Sequence, residues 1–287
     1  MSQVIVSAVI LTHNRKQLVL RAIDSVLNQS FMNIECIVVD DASDDGTKEE
    51  LSIRKDIIYI YIPKEESQGG NYARNVGINA AKGKYVAMLD DDDYWLPTKI
   101  EKQVALIEEK DCGLVYCGMR PEYVHSDGSV TYVDWPPLEE GQGDLSTKIL
   151  SRIYLITSGI MVSRNLLEKV GGFDVKVRYW QEYELSIRLA QLTKFYAVNE
   201  CLYVYRIDEQ DKNKLTNKFD AWKASAHYIH KKHRALYKKI SLAAKIDACR
   251  LYNGEACSRA KKAGLYLTAL YHKIICFTLK RVRYIVK

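Results

Sequence analysis

Between residues 7 and 93 the chain alternates short apolar runs with helix-length segments, and this alternation restricts its fold more than any other feature. Ser7-Ala8-Val9-Ile10-Leu11-Thr12-His13-Asn14-Arg15 is an apolar run with a polar end, and a helical pattern follows from Gln17 to Gln29. Ile34-Glu35-Cys36-Ile37-Val38-Val39-Asp40-Asp41 is the second run, leading into Ala42-Ser43-Asp44-Asp45-Gly46-Thr47. The third, Ile57 to Ile62, precedes Gln68-Gly69-Gly70-Asn71-Tyr72-Ala73-Arg74-Asn75-Val76-Gly77. Lys84-Tyr85-Val86-Ala87-Met88-Leu89 is the fourth and ends in Asp90-Asp91-Asp92-Asp93. Strands buried on both faces and alternating with helices predict an α/β fold, a doubly wound and mainly parallel sheet flanked by helices. Such sheets bind ligands beyond the carboxyl ends of their strands, so the polar residues that end these runs are candidate site residues.

The four consecutive carboxylates repel one another unless something cationic neutralises them. Hard divalent ions do so: Mg²⁺ or Mn²⁺ sites typically combine one or two carboxylates with the oxygens of a bound phosphate. The plainer alternative is a solvated acidic turn capping a helix expected to begin near Leu96-Pro97. Asp41 has a similar alternative, as an N-cap for the helix after it, a job Ser43 or Asp44 could also do.

Taken in order, Leu11-Thr12-His13-Asn14, Asp40 to Thr47, Ala73-Arg74-Asn75-Val76-Gly77, Leu89 to Asp93, Gly171-Gly172-Phe173-Asp174 and Gln181-Glu182-Tyr183-Glu184-Leu185 resemble the family 2 glycosyltransferases, inverting enzymes with a GT-A fold. The resemblance covers residues 4–206. It implies a UDP-sugar donor, with Asp41 accepting the uracil imide hydrogen and Leu11, Thr12 and His13 lining base and ribose. The family often has Tyr at the His13 position. Arg74, at the start of a helix pattern, would face the diphosphate. In the family's D-x-D pattern Asp90 and Asp92 take the acidic positions. Asp92 would bind the metal, Asp90 and Asp91 would contact ribose or donor sugar or bind metal through water, and Asp93 would cap the next helix. The general base is usually the Asp of a Glu-Asp pair; here the pair is Gln181-Glu182, so Glu182 takes the role and Glu184 is the fallback. Glu is one methylene longer, which shifts the backbone that must present it. Trp180 would stack on an acceptor sugar or pack in the core.

Charge divides the chain. Residues 1–209 hold 23 Lys/Arg against 32 Asp/Glu, a balance of −9, whereas residues 210–287 hold 19 against 4, a balance of +15. Residues 1–209 are therefore read as the catalytic domain, with a nucleotide-sugar half over 4–118 and an acceptor half over 119–206. Residues 119–143, rich in turn signals, predict a hairpin and a loop beside the site. Residues 210–287 read as two or three basic amphipathic helices suited to an anionic membrane surface. No uninterrupted apolar run is long enough to cross a bilayer, and no secretory-signal layout appears at the start. The seven cysteines are scattered with no C-x-x-C pair, which fits reduced thiols in a cytoplasmic protein at the inner face of the membrane.

Other classes lack their marks. No glycine lies between the first run and its helix as a dinucleotide fold needs, and Gly77 to Lys84 misses the P-loop spacing. A sugar nucleotidyltransferase would be expected to carry a Gly- and Arg/Lys-rich loop after its first strand. A nucleic-acid binder is suggested only by the basic tail, and the acidic front half argues against a long anionic ligand. His227, His230 and His233 recur every three residues and read as a solvated basic face rather than a metal site. The resemblance implies a hexosyl or N-acetylhexosaminyl transfer with Mn²⁺ or Mg²⁺. The resemblance implies a saccharide acceptor linked to undecaprenyl diphosphate, in O-antigen, capsule or exopolysaccharide synthesis.

Overall fold

The computed structural model describes residues 3–208 and 218–286. Strands β1 (Val6–Thr12), β2 (Ile34–Asp41), β3 (Ile58–Ile62) and β4 (Tyr85–Asp90) pair in parallel in the spatial order β3-β2-β1-β4. Helices α1 (Lys16–Leu27), α2 (Thr47–Ser52) and α3 (Gly70–Ala80) connect them. The chain then forms β5 (Tyr94–Trp95), α4 (Lys99–Glu109), β6 (Leu114–Val124), β7 (Val130–Tyr132), β8 (Met161–Ser163), α5 (Arg164–Val170), α6 (Gln181–Ala190) and β9 (Phe195–Asp208). The sheet continues past β4 as β8-β6-β9-β5, with β8 antiparallel to both neighbours and β6 parallel to β9. β7 folds back on β6 as the expected hairpin. Because β1 lies between β2 and β4, the strand order reverses beside it, where open α/β sheets leave a ligand crevice.

The apolar runs are continuous because both sheet faces are covered. Val6, Ala8 and Ile10 of β1 face the layer holding Val19, Ala22, Ile23 and Val26 of α1. Val9 faces the opposite layer with Ala73 and Ile78 of α3. There Gly77 lets helix and strand approach: a Cβ at this position would overlap Val9 Cγ1 and press on Val39 Cγ2. Gly77→Ala should therefore cost about 1–3 kcal/mol, the usual penalty of overpacking, read as a lower denaturation midpoint with unchanged slope.

The acidic run differs from expectation at its end. Asp93 caps no helix: β5 follows it, and α4 begins only at Lys99. Asp93 is instead fully buried, accepting Ser158 Oγ at 2.6 Å and the Arg206 amide at 3.1 Å.

Among its described residues the basic tail forms four helices rather than two or three: α7 (Phe219–Lys232), α8 (Arg234–Lys239), α9 (Leu242–Lys262) and α10 (Tyr266–Ile285). A turn at His233 divides α7 from α8, the Ser241 hydroxyl caps α9 by accepting the Ala244 amide, and Gly264, at φ 74°, permits the turn into α10. The expected boundary after residue 209 lies outside the described residues. α7 packs firmly on the sheet domain: Trp222 is fully buried with its ring 5.1 Å from that of Trp180. Lys232 bonds Asp174 at 2.5 Å and Glu184 at 2.7 Å. The histidine stripe is thus not wholly solvated, since His233 is buried against Glu184 at 3.0 Å. All seven cysteines are free; burial pushes the Cys36 thiol up to about 12 and the Cys117 thiol up to about 11.

Candidate active site

The ends of β1, β2 and β4 meet at one edge of the sheet, and side chains tie them together. Thr12 Oγ1 donates to Asp91 Oδ2 at 2.8 Å, joining the ends of β1 and β4. His13 Nδ1 lies 2.5 Å from the Asp41 carbonyl oxygen, and the Asn14 amide donates to Ser43 Oγ at 2.8 Å, joining β1 to β2. Leu11 is half-buried just before them, beside Gly70 and Arg74. Asn14, Ala42 and Trp180 hold positive φ angles of 53°, 63° and 61° although none is glycine. Each is next to or two residues from a candidate ligand or catalytic residue, which is where folds tolerate such strain.

The two β2 carboxylates have different tasks. Asp40 accepts the Ser43 amide at 2.9 Å and the Tyr59 hydroxyl at 2.8 Å, while α2 is capped at Gly46, with Asp45 before it accepting the Thr47 amide at 3.1 Å. Capping therefore falls to residues other than Asp41. Asp41 Oδ1 is buried without a hydrogen-bond partner among the described residues, a costly state for a carboxylate oxygen unless a ligand donor meets it.

Within the acidic run, exposure separates the roles. Asp90 and Asp92 keep 28% and 31% of their side-chain surface open, against 7% for Asp91. Each Asp91 oxygen accepts one internal hydrogen bond, from Thr12 and from Arg15 Nη1 at 2.9 Å, so Asp91 ties the strand ends together. Arg15 Nη1 also reaches Asp92 Oδ2 at 2.9 Å, and Arg21 Nη2 donates to the Asp92 carbonyl at 2.8 Å. Burial raises the Asp91 carboxyl to about 6, with Arg15 opposing and Asp92 adding to the rise. Burial and then the charge of Asp90 raise Asp92, and burial with both neighbours holds Asp93 far above the usual range.

Arg74 is no ordinary surface ion pair. It is 8% exposed, donates through Nη2 to Asp90 Oδ1 at 2.7 Å, and lies 5.6 Å over the Phe173 ring. Its neighbour Asn75 exchanges two 2.8 Å hydrogen bonds with the Phe173 backbone, which holds Gly171-Gly172-Phe173-Asp174 against α3. Two sequence segments a hundred residues apart are in this way one structural unit.

Glu182 sits in the first turn of α6, half-buried, and no side chain among the described residues bonds or ion-pairs with its carboxylate. Burial raises its pKa; Asp90 adds to the rise, and Arg74 and Arg259 oppose it, so the carboxylate is electrostatically part of the strand-end cluster. Glu184 is fully buried on another face of α6 and bound by Arg188 at 2.6 Å, Lys232 at 2.7 Å and His233 at 3.0 Å. Burial acts to raise its pKa, yet these hydrogen bonds and charges bring it down to about 2. That carboxylate is a structural anchor for the end of α7. Trp180 packs edge-on to Tyr183 and Trp222, so its core role is the one adopted.

The donor set suits a hard cation. Asp90 and Asp92 each engage one oxygen with an arginine and leave the other without a side-chain partner among the described residues, while their mutual repulsion favours a cation between them and a phosphate. Among the described residues no group of three or more His, Cys, Asp or Glu side chains could hold an ion by itself, so an ion there would need further oxygens from phosphate or water. Arg15 and Ser158 escaped sequence reasoning. Ser158 Oγ accepts the Asp90 amide at 3.1 Å and donates to Asp93, but nothing local marks a serine so distant in sequence. Arg15 had a signal, a cation at a strand end facing four acids.

The sequence pattern described as glycosyl transferase family 2 matches residues 7–171. The chain is 30% identical over 190 residues to WfaP of Escherichia coli, a UDP-Glc:alpha-D-GlcNAc-diphosphoundecaprenol beta-1,3-glucosyltransferase, covering 66% of this chain and 71% of that one. It is 28% identical over 251 residues to TuaG of Bacillus subtilis, a putative teichuronic acid biosynthesis glycosyltransferase, covering 82% and 88%. In structure it resembles S. aureus TarS in complex with UDP-GlcNAc, with a TM-score of 0.59 at 15% identity over 97% of this chain and 90% of that one. It also resembles the mannosyltransferase PcManGT of Pyrobaculum calidifontis in complex with GDP-Man and Mn²⁺, with a TM-score of 0.59 at 18% identity over 96% and 88%.

Proposed function

Since the chain belongs to glycosyl transferase family 2 and has the GT-A fold, we propose that it moves a hexose or N-acetylhexosamine from a UDP-sugar to a hydroxyl of a lipid-linked saccharide, with inversion. The observation that carries this reading is the meeting of three carboxylate sets at one sheet edge: the unpartnered oxygen of Asp41, the open pair Asp90 and Asp92, and the unpaired Glu182. Asp41 accepts the uracil imide N–H, with Leu11, Thr12 and His13 around base and ribose. Asp90 contacts the ribose or donor sugar, and Arg74, held by Asp90, faces the diphosphate. Asp92 would hold a divalent ion, Mn²⁺ or Mg²⁺, which would supply Lewis-acid stabilisation of the leaving diphosphate. Glu182 takes the proton of the acceptor hydroxyl as its oxygen attacks the anomeric carbon, opposite the breaking bond to phosphate. Arg15 and Asp91 keep the ends of β1 and β4 in place for this.

UDP as the nucleotide and a polyprenyl-diphosphate-linked acceptor draw support from what WfaP is named for, and the metal from the PcManGT complex. A scan of UDP-hexoses and GDP-mannose, read as metal-dependent release of nucleoside diphosphate, tests the donor and the reaction together. Pyrophosphate release would point to a nucleotidyltransferase, and no release to a binding module.

The tail offers a membrane surface. No helix among the described residues is long and apolar enough to cross a membrane. α10 buries only Ala269 and His272 and leaves Leu267, Leu270, Tyr271, Ile274, Phe277 and Ile285 exposed, interspersed with Lys273, Lys280 and Arg281. An exposed apolar face among cations suits insertion at an anionic headgroup layer, each engaged Lys or Arg contributing about 1 kcal/mol. The protein is expected to pellet with anionic vesicles at low salt and to leave them at high salt. Deleting residues 264–287 should weaken pelleting and transfer to a lipid-linked acceptor while sparing a short-chain soluble analogue; equal loss with both would make α10 a packing element.

A further inference from the structure

Between α6 and helices α7, α8 and α9 lies a cavity of about 600 Å³, within the size range of small-molecule sites. Trp180, Tyr183, Ile229, Tyr237, Leu251 and Tyr252 give it a mainly hydrophobic wall. Arg234, Lys238 and Lys245 also line it; all three are exposed, so they form its rim, and none has an acidic partner among the described residues. No Asp or Glu lines it. A hydrophobic chamber rimmed by unpaired cations is complementary to an anionic head on a hydrocarbon chain. Its position narrows the occupant. Trp180, the residue that opens α6, and Tyr183 in its first turn line the cavity, so its wall includes the same helix start that carries Glu182. The exposed face of α10, by contrast, belongs to another part of the tail and is open to solvent.

We propose that this cavity receives the first isoprenoid units of the polyprenyl chain of a diphosphate-linked acceptor, with the phosphates at Arg234, Lys238 and Lys245. The proposal rests on the reading that the acceptor is lipid-linked. In it the tail does more than hold the enzyme near a membrane: α7, α8 and α9 select the acceptor by its lipid.

The test needs neither donor nor turnover, so its failure is separate from failure of the transferase reading, which the diphosphate-release scan decides. Farnesyl diphosphate is titrated into the full chain and followed by tryptophan fluorescence, with Trp180 and Trp222 as the nearby reporters. Isopentenyl diphosphate, farnesol, inorganic pyrophosphate and phosphatidylglycerol vesicles are the comparison probes. Farnesyl diphosphate should bind saturably and at least about tenfold tighter than isopentenyl diphosphate, because the longer chain buries more apolar surface. Ala248→Phe, which fills the cavity, should remove that advantage, and Cys249→Trp should do the same from an exposed position on the rim without disturbing the core. Arg234→Glu with Lys238→Glu should weaken farnesyl diphosphate at least about tenfold and leave farnesol nearly unchanged. Equal affinity for isopentenyl and farnesyl diphosphate, or full binding by a folded Cys249→Trp protein, would overturn the proposal. A fluorescence response to vesicles alone would assign the cavity to bulk lipid and overturn it as well.

Discussion

Glu182→Gln is expected to lower turnover about 10²- to 10⁴-fold with UDP affinity nearly unchanged, because glutamine keeps the shape of the side chain but cannot take the acceptor proton. The carboxylate is suited to the role by what it lacks, since no side chain among the described residues claims its oxygens. Its pKa is raised by burial and by Asp90, against Arg74 and Arg259. A base works only when deprotonated, so kcat/KM should fall as pH drops through a value above the ordinary 4.5 of glutamate. The same limb should be missing from the residual activity of Glu182→Gln. Glu184→Gln is the contrasting case. With its pKa lowered from 4.5 to about 2, the Glu184 charge contributes stability that is complete above pH 4.5 and is lost as pH falls toward 2. The size is about 3 kcal/mol at neutral pH, converting the shift at 1.36 kcal/mol per unit. That variant should unfold more easily and turn over nearly normally at a temperature where it stays folded. If the two phenotypes exchange, the base lies two residues further along α6.

Asp92→Ala should remove most turnover, on the order of 10²-fold or more, if its carboxylate holds the ion that offsets charge on the leaving diphosphate. Chelation should abolish wild-type activity and Mn²⁺ should restore it; full activity in EDTA would take the metal out of the mechanism. A second measurement does not depend on turnover. Asp91, Asp92 and Asp93 all have raised carboxyl pKa values, so the folded state holds protons there more tightly than the unfolded chain, and stability is lost as pH rises through those values. A divalent ion with UDP should replace that proton demand and raise the melting temperature at neutral pH. Asp92→Ala should lose most of this rise while keeping any response to UDP alone.

The strand-helix alternation of residues 7–93 was legible because burial on both faces leaves a continuous apolar run, a property of composition that needs no partner to be seen. The polar residues ending those runs were legible as site residues for the same reason: an open α/β sheet gathers strand ends at one edge. What each residue does there was decided by contacts distant in sequence. Asp40 and Asp41 are adjacent and chemically identical, yet Tyr59 and Ser43 satisfy one and leave an oxygen of the other free. Asp91 resembles its neighbours in every local respect and is the one that binds Thr12 at the end of β1. Asp93 read as a cap and became a buried acceptor for Ser158 and Arg206. Glu182 and Glu184 are two residues apart, yet Lys232 at the end of α7 and His233 in the turn after it, some fifty residues further on, bind only the second. The sequence by itself determined the sheet, the edge where chemistry gathers and the kinds of group found there, since these follow from local pattern and burial. Only the tertiary structure decided which carboxylates remain free, because a carboxylate's availability depends on which donors from elsewhere in the chain reach its oxygens first.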